Sequence, residues 1–195
     1  MNYPGGIKNK NTNTDMTINK EISHQNRGMT LEYEINLSNE YYRDIDKAII
    51  YKKPTPIKIV KVDYPSRDKA TIKEAYFATP STTDYNGLYK GKYIDFEAKE
   101  TKSKTSFSLA NIHPHQIKHL KSIYNHSGIA FLIVRFTVLN ETYLLLEETL
   151  DKYINDTNKK SIPIEFFREN AYIIKDGYNP RIDYLEVIDR IIGGK

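Results

Sequence analysis

The stretch Lys92-Tyr-Ile-Asp-Phe-Glu-Ala-Lys99 carries the strongest signal of fold and chemistry in this chain. Its side chains alternate between apolar and polar, which predicts a β-strand with one buried face. Ile94 and Phe96 share the face that we expect to anchor in the core. Glu97 and Lys99 share the opposite face. Such an acid and cation form a compact unit, because the carboxylate can hold a divalent cation while the ammonium orients or activates a water molecule.

A second carboxylate, Asp84, precedes the pair Asn86-Gly87, which typically forms a turn. We therefore expect the chain to double back and bring Asp84 beside Glu97. Two carboxylates, together with backbone carbonyls and waters, satisfy the preference of Mg²⁺ for oxygen ligands. Such a site suits phosphodiester hydrolysis, because the metal polarises the phosphate and lowers the pKa of the attacking water.

The spacing acid-x-Lys is a weak signal by itself, since an exposed ion pair on a strand is its usual explanation. Asp95 lies on the same predicted face as Glu97 and is an alternative acid. It either ligates a metal or pairs with Lys92 or Lys99. The upstream Asp84, the apolar opposite face and nearby basic segments favour the catalytic interpretation.

Composition excludes several classes of protein. The 195 residues favour one soluble globular domain, with 39% hydrophobic and 28% charged residues. The absence of cysteine from the sequence excludes disulfides, thiolate metal sites and a cysteine nucleophile. We find no apolar run long enough for a membrane span and no secretory signal in the sequence, so we expect a cytoplasmic protein without membrane contact.

The formal net charge of +4 conceals an asymmetry along the chain. The balance is +7 before Glu141 and −3 from Glu141 onward, and the segment from Lys52 to Lys73 alone carries +5. This asymmetry indicates a face that meets a polyanion. A solvated, lysine-rich edge strand is the alternative explanation.

The pattern of residues predicts an α/β protein in which a mixed central sheet is flanked by helices. We expect residues 1–28 to be a disordered basic arm and residues 29–195 to be one domain. Thr30 should cap a helix that runs to about Ile49, because apolar residues recur at helical spacing in this segment: Leu31, Ile35, Tyr42, Ile45 and Ile49. The expected strands lie at 57–62, 74–78, 92–99, 128–136 and 141–146, with the strand at 128–136 buried on both faces. The later helices should begin at 114, 147 and 183.

Three prolines punctuate the basic segment, which we expect to form a hairpin insertion spanning about residues 52–77. An extended, basic, proline-interrupted hairpin is better suited to project from a core than to fill it.

Several motifs in order resemble one known family: Asn26-Arg-Gly-Met29, Leu31-Glu32, Thr83-Asp-Tyr-Asn-Gly87, Tyr93-Ile-Asp-Phe-Glu-Ala-Lys-Glu-Thr101, Lys104-Thr-Ser-Phe107 and His115-Gln116. The chain resembles the RecU family of Holliday junction resolvases from about Asn26 to its C-terminal helix. This resemblance implies a restriction-endonuclease-like fold with a protruding basic stalk. It also implies a homodimer that cuts four-way DNA junctions symmetrically with Mg²⁺ or Mn²⁺ in recombination and repair, together with branch-migration helicase and recombinase partners.

The resemblance also implies roles for individual residues. Asp84 and Glu97 would ligate the metal, and Thr83 and Gln116 would complete or support its shell. Lys99 would orient the nucleophilic water or stabilise developing charge. A further acid, on the first helix, would reach the site as a metal-linked or supporting residue: Glu32.

DNA contacts are expected from the arm and from the hairpin that corresponds to the stalk. Arg27 in the arm would contact phosphate, although a solvated loop arginine is the alternative. Arg67 lies near the stalk tip. The remaining candidates share the hairpin: Lys58, Lys61, Lys69, Tyr76 and Phe77.

The cluster of His113, His115 and His119 lacks the cysteine or fourth ligand of a zinc site, which favours surface histidines or a helix terminus near phosphate. Two rival functions remain open. One is a sequence-specific restriction-type endonuclease with the same catalytic unit. The other is a non-catalytic DNA-binding accessory protein of recombination on a nuclease fold.

Overall fold

The structure, a computed structural model, describes residues 30–78 and 82–193. Its helices are α1 (Leu31–Asp44), α2 (Pro114–Asn125), α3 (Glu147–Asp156), α4 (Ile164–Asn170) and α5 (Tyr184–Gly193). Its strands are β1 (Ile49–Lys52), β2 (Ile57–Asp63), β3 (Thr71–Phe77), β4 (Tyr85–Tyr89), β5 (Lys92–Thr101), β6 (Ser106–Ser108), β7 (Ile129–Phe136), β8 (Glu141–Leu146), β9 (Ser161–Pro163) and β10 (Tyr172–Ile174). The described residues from Leu31 onward belong to one compact unit. The predicted arm at residues 1–28 lies outside the described residues.

A six-stranded sheet with the order β1-β4-β5-β7-β8-β10 forms the centre of this unit. β5 and β7 are parallel and are connected through α2, whereas the other neighbouring pairs are antiparallel. β6 pairs with β9, and β2 pairs with β3, each as a separate two-stranded ribbon. The predicted mixed sheet flanked by helices is confirmed.

Two hydrophobic clusters cover the two faces of the sheet. Side chains of α1 and α5 pack with Phe96 and Phe131 on one face. Side chains of α3 and α4 pack with Leu132 and Val134 on the other face. The alternate residues of β7 thus enter different clusters, which confirms the prediction of a strand buried on both faces.

Phe96 anchors β5 in the core. Its ring stacks between those of Tyr85 and Phe131, with ring centroids 4.8 Å away on each side. The apolar face predicted from the alternation of β5 is therefore confirmed. It holds the opposite, polar face of the same strand in a defined position.

The first helix is shorter than its apolar spacing indicates. α1 ends at Asp44, and Asp46 has a φ of 54°, which a right-handed helix cannot contain. Ile49 instead begins β1, a strand that pairs with β4. The prediction of a helix to Ile49 is wrong, because strand pairing outweighs a local helical period.

Asn86-Gly87 is not the turn that we predicted, since both residues lie inside β4. β1 crosses Gly87 so closely that a Cβ there would lie 2.1 Å from the carbonyl oxygen of Ile49. The turn between β4 and β5 is Lys90-Gly91, with φ values of 47° and 71°. Two successive positive φ angles are typical of the tight turns that join antiparallel strands.

β2 and β3 form the basic hairpin, defined here as Ile57–Phe77. The predicted strands are confirmed, although β3 begins earlier, at Thr71. Almost every side chain of these two strands is exposed. The hairpin carries five lysines or arginines against three acids, because Lys52 and Lys53 lie outside it. Its net charge is thus smaller than that of the predicted insertion.

None of the helices in the described ranges has the length and apolar character needed to cross a membrane.

Candidate active site

The pairing of β4 with β5 creates the candidate site. Tyr85 lies opposite Phe96, so the preceding residue, Asp84, meets Glu97 at the end of the ladder. The backbone N–H of Asp84 donates a hydrogen bond of 3.0 Å to Glu97 Oε2. The structure thus brings these two residues together through strand pairing rather than through a turn at Asn86-Gly87.

Lys99 completes the group on the polar face of β5. Its Nζ lies 2.5 Å from Glu97 Oε1, and the Glu97 side chain is fully buried. Oε1 accepts no hydrogen bond of good geometry from the described residues. Its close partner is instead the Lys99 ammonium, and this ion pair offsets part of the cost of burying the carboxylate.

The surroundings of Glu97 raise the pKa of its carboxyl group. Burial raises the pKa of the Glu97 carboxyl to about 7, and the neighbouring Asp84 carboxylate acts in the same direction. The Lys99 ammonium opposes both effects by favouring the charged form. Glu97 therefore holds a proton over a pH range in which an ordinary glutamate is ionised.

The donors at this site fit a hard divalent cation. Asp84 and Glu97 offer carboxylate oxygens, and the Lys99 ammonium lies beside Oε1 of Glu97. The described ranges contain no cluster of three or more His, Asp or Glu side chains that could hold a metal ion. An ion held by two carboxylates would keep several waters, as Mg²⁺ commonly does.

Thr83 and Gln116, the expected supports of the metal shell, use their oxygens elsewhere in this structure. Thr83 Oγ1 donates to Asp95 and accepts a 2.9 Å hydrogen bond from Lys53. Gln116 Oε1 accepts a 3.0 Å hydrogen bond from the backbone N–H of His113, which caps α2. Their role toward a metal stays a prediction.

Glu32 lies on the first turn of α1 and forms an exposed ion pair with Lys52. Its carbonyl oxygen accepts a 3.3 Å hydrogen bond from the hydroxyl of Tyr85, the residue after Asp84. The pKa of that hydroxyl is raised, first by burial and then by three nearby acids: Glu32, Asp84 and Glu97. Glu32 is thus near the site, and a direct link to a metal stays a prediction.

Asp95 is fully buried and pairs with neither Lys92 nor Lys99, so that part of the sequence interpretation is wrong. Its Oδ2 accepts a 2.8 Å hydrogen bond from Lys53 Nζ. Sequence reasoning counted Lys53 only as part of the basic segment. A local pattern could not reveal this pair, because the two residues are 42 positions apart and meet only through the sheet.

The predicted DNA-contacting residues of the basic hairpin are exposed where the structure describes their side chains. Lys58 lies opposite Tyr76 across the ribbon, and Phe77 is 83% exposed. The exposed lysines Lys61 and Lys69 lie nearer the tip. Two further candidates remain predictions. Arg67 begins a short 3₁₀ turn, and the structure describes its backbone but not its side chain. Arg27 lies outside the described residues.

The three histidines of the α2 region do not converge. The rings of His113 and His115 stack with their centroids 5.4 Å apart. His119 instead points to Asp95, with Nε2 3.2 Å from Oδ2. Among the described residues, this arrangement offers no zinc cluster.

With this geometry in place, comparison with known proteins identifies the family. The family model of RecU, Recombination protein U, matches residues 26–190. The chain belongs to the RecU family. The matched range includes β4, β5 and the basic hairpin, so the candidate site lies within the RecU-like region. The resemblance inferred from the sequence motifs is confirmed.

Curated RecU relatives are similar over nearly the whole chain. The Holliday junction resolvase RecU of Staphylococcus carnosus (strain TM300) is 53% identical over 201 residues, covering 98% of this chain and 96% of the relative. The Holliday junction resolvase RecU of Bacillus thuringiensis (strain Al Hakam) is 51% identical over 195 residues, covering 98% of each. Among solved structures, the Holliday junction resolvase Hjc of Archaeoglobus fulgidus aligns with a TM-score of 0.40 and 10% identity, over 69% of this chain and 93% of that one.

Proposed function

We propose that this RecU-family chain is a metal-dependent endonuclease that resolves four-way DNA junctions by symmetric cutting in recombination and repair. The observation that carries the proposal is the convergence of Asp84, Glu97 and Lys99 on one sheet face. The curated relatives named Holliday junction resolvase cover 98% of the chain and supply the substrate class.

Asp84 and Glu97 are the residues that would hold Mg²⁺, with Mn²⁺ as an alternative ion. The bound ion supplies a Lewis acid for the phosphate and lowers the pKa of a water molecule. Glu97 would contribute its carboxylate once the carboxyl has lost its proton. Thr83, Gln116 and Glu32 are proposed as supports of this shell.

Lys99 is proposed to act at the same carboxylate. Its ammonium lies beside Glu97 Oε1 and is partly accessible, with 22% of the side chain exposed. In that position it can orient a water molecule by hydrogen bonding and offset negative charge that develops on the phosphate. The fully buried Glu97 holds this ammonium in place.

The basic hairpin is proposed to enter the open centre of a junction. Its exposed lysines can neutralise phosphates without reading sequence, since phosphate contacts position the DNA backbone. Tyr76 and Phe77 can stack on unpaired bases, because both rings are largely exposed. Arg27 and Arg67 are proposed as further phosphate contacts.

A homodimer is part of the proposal, because two-fold symmetry presents two matched sites to opposite DNA strands. Ile49 on the edge strand β1 lies opposite Leu88 on its neighbour β4, and Tyr51 shares their face. All three side chains are at least half exposed, so they form an apolar surface that a second copy can cover.

We also propose a cytoplasmic location, and a branch-migration helicase and a recombinase as partners.

Cutting of synthetic four-way junctions tests the proposed function. Wild type should cut in Mg²⁺ or Mn²⁺ and not in EDTA, at symmetric positions on two opposite strands. Asp84→Asn should bind the junction yet cut at least about 100-fold more slowly, because a metal ligand is lost. Sedimentation equilibrium should give the mass of two chains.

The rival functions predict different outcomes of the same assay. Cutting of linear duplex at a fixed sequence, as fast as junction cutting, favours a restriction-type endonuclease. Junction binding by wild type without cutting in either metal favours a non-catalytic accessory protein and contradicts the proposed enzyme.

A further inference from the structure

Asp95 is a buried carboxylate that the proposed reaction does not use. Both of its oxygens have partners: Thr83 Oγ1 donates to Oδ1, and Lys53 Nζ donates to Oδ2 at 2.8 Å. The hydroxyl of Tyr93 and the Nε2 of His119 also lie within hydrogen-bonding distance of Oδ2, at 3.1 and 3.2 Å. Four side chains, one from β5 itself and three from other parts of the chain, thus converge on this carboxylate.

Two of these partners lie in the segments that flank the basic hairpin. Lys53 precedes the hairpin, and Thr83 follows it. The two residues also contact each other, because Lys53 Nζ donates a 2.9 Å hydrogen bond to Thr83 Oγ1. The backbone N–H of Lys53 donates a 2.7 Å hydrogen bond to the carbonyl of Asp84. The segment that leads into the hairpin is therefore hydrogen-bonded to the backbone of Asp84, a candidate metal ligand.

The rest of the basic hairpin has little else to orient it. In the described part of the chain, β2 and β3 pair only with each other, and most of their side chains are exposed. The hydrogen bond from Ala78 N–H to the carbonyl of Pro56 closes the base of the ribbon without joining it to the central sheet. A two-stranded ribbon of this kind depends on its attachment for its direction.

We propose that Asp95 is a positioning residue: with Lys53 and Thr83 it forms a clamp that sets the direction of the basic hairpin relative to Asp84 and Glu97. DNA that is bound to the hairpin would then place the phosphate to be cut at a fixed position relative to Asp84 and Glu97. Asp95 acts through Lys53 and Thr83, since its own oxygens are already occupied by them. The inference rests on the proposed function for its purpose, whereas its test does not depend on cutting.

Distance measurement between two spin labels tests the clamp directly. The sequence contains no cysteine, so labels can be attached at Asp68→Cys near the hairpin tip and Lys152→Cys on α3 without competing sites. Dilution with unlabelled protein removes distances between subunits. The doubly labelled protein without further substitutions should give a narrow distribution of label–label distances. Adding Asp95→Asn or Lys53→Met should broaden that distribution at least about twofold, because the hairpin is then held less firmly to the sheet.

Lys90→Met is the matched control, since it removes another Lys–Asp pair, Lys90 with Asp189 at 2.6 Å, away from the hairpin. It should leave the distribution narrow. Unchanged widths in Asp95→Asn and Lys53→Met would overturn the proposal. Failure of both variants to fold, judged by circular dichroism, would overturn it too, because the clamp would then be a folding element.

Calorimetric titration with Mn²⁺ separates positioning from metal ligation. Asp84→Asn should weaken Mn²⁺ binding by about tenfold or more, as expected when metal coordination is disturbed. Asp95→Asn should weaken it clearly less. An equal loss in both variants would tie Asp95 to metal binding, directly or through Thr83, and would overturn the positioning role. Neither measurement requires a DNA substrate, so failure to cut junctions would leave this test intact.

Discussion

The basic hairpin and the strand pair β4–β5 are both antiparallel ribbons, yet their surroundings are opposite. β5 lies between β4 and β7 inside the six-stranded sheet, and its Phe96 is fully buried. The hairpin pairs only with itself among the described strands, and its Phe77 is 83% exposed. The same secondary structure is thus found in two settings. One ribbon is packed in the sheet and holds Glu97, and the other is solvent-exposed and is the one proposed to contact DNA.

The contrast extends to charge. Burial raises the pKa of Glu97, so the environment controls when this carboxylate is ionised. On the hairpin, Lys73 and Asp63 form an ion pair with both side chains about half exposed. An exposed pair of this kind contributes little to stability. Electrostatics therefore shifts the ionisation of a buried carboxylate at β5, whereas the charges of the hairpin remain exposed to solvent, where the proposed function has them meet DNA.

Removal of the hairpin should produce the largest effect that separates the two regions. Replacing Ile57–Phe77 by a short Gly-Ser linker should lower junction cutting at least about 100-fold, because the substrate is no longer positioned. The free energy of unfolding should change by only about 1 kcal/mol, since few core contacts are lost. Junction cleavage and urea denaturation measure the two quantities. Unchanged cutting would contradict the role of the hairpin.

A matched pair of phenylalanine substitutions should give the next largest difference. Phe96→Ala should lower the free energy of unfolding by about 3–5 kcal/mol, because it leaves a cavity between Tyr85 and Phe131. Phe77→Ala should lower it by less than about 0.5 kcal/mol, because the ring is exposed. Urea denaturation compares the variants. Similar losses would show that the hairpin is packed against other residues in solution.

The pH dependence of stability should show a smaller effect at Glu97. Its pKa in the folded protein, about 7, lies above the ordinary value of a glutamate carboxyl, so the stability that it contributes at low pH is lost as pH rises through this range. Without divalent metal, Glu97→Gln should therefore gain stability relative to wild type between pH 5 and pH 8, on the order of 2 kcal/mol.

Denaturation at pH 5 and pH 8 measures this difference. Glu40→Gln on the exposed face of α1 is the matched control for the loss of one carboxylate. A gap between Glu97→Gln and wild type that is the same at both pH values would contradict the raised pKa of Glu97.

Much of the fold followed from local patterns, and the failures have identifiable causes. The alternation of β5 and the proline that begins α2 were sufficient to predict these elements. α1 was predicted too long because Ile45 and Ile49 continue its apolar spacing, although both are about half exposed. Gly87 was assigned to a turn because Asn-Gly usually forms one. Its actual requirement, the close approach of β1, involves a segment distant in the sequence.

In the candidate site, too, some features followed from local sequence patterns and others arose only from contacts between distant segments. Glu97 and Lys99 were placed on one face by the period of a single strand, which neighbouring residues determine. The meeting of Asp84 with Glu97 was expected, but it arises from the register of β4 with β5. The partners of Asp95 were not expected. The alternating pattern within β5 carries no information about Lys53, which precedes the hairpin, or about Thr83, which follows it.

By itself the sequence determined the α/β class, the RecU motifs, the buried face of β5 and the hairpin, because these depend on side-chain order within short segments. Only the tertiary structure decided which of the basic residues belong to the hairpin and which face acids beside the sheet. It also decided that Glu97 is buried beside the Lys99 ammonium and that Asp95 binds one residue on each side of the hairpin, Lys53 and Thr83. These properties arise when distant segments exclude water from the same place, and short-range patterns carry no information about that.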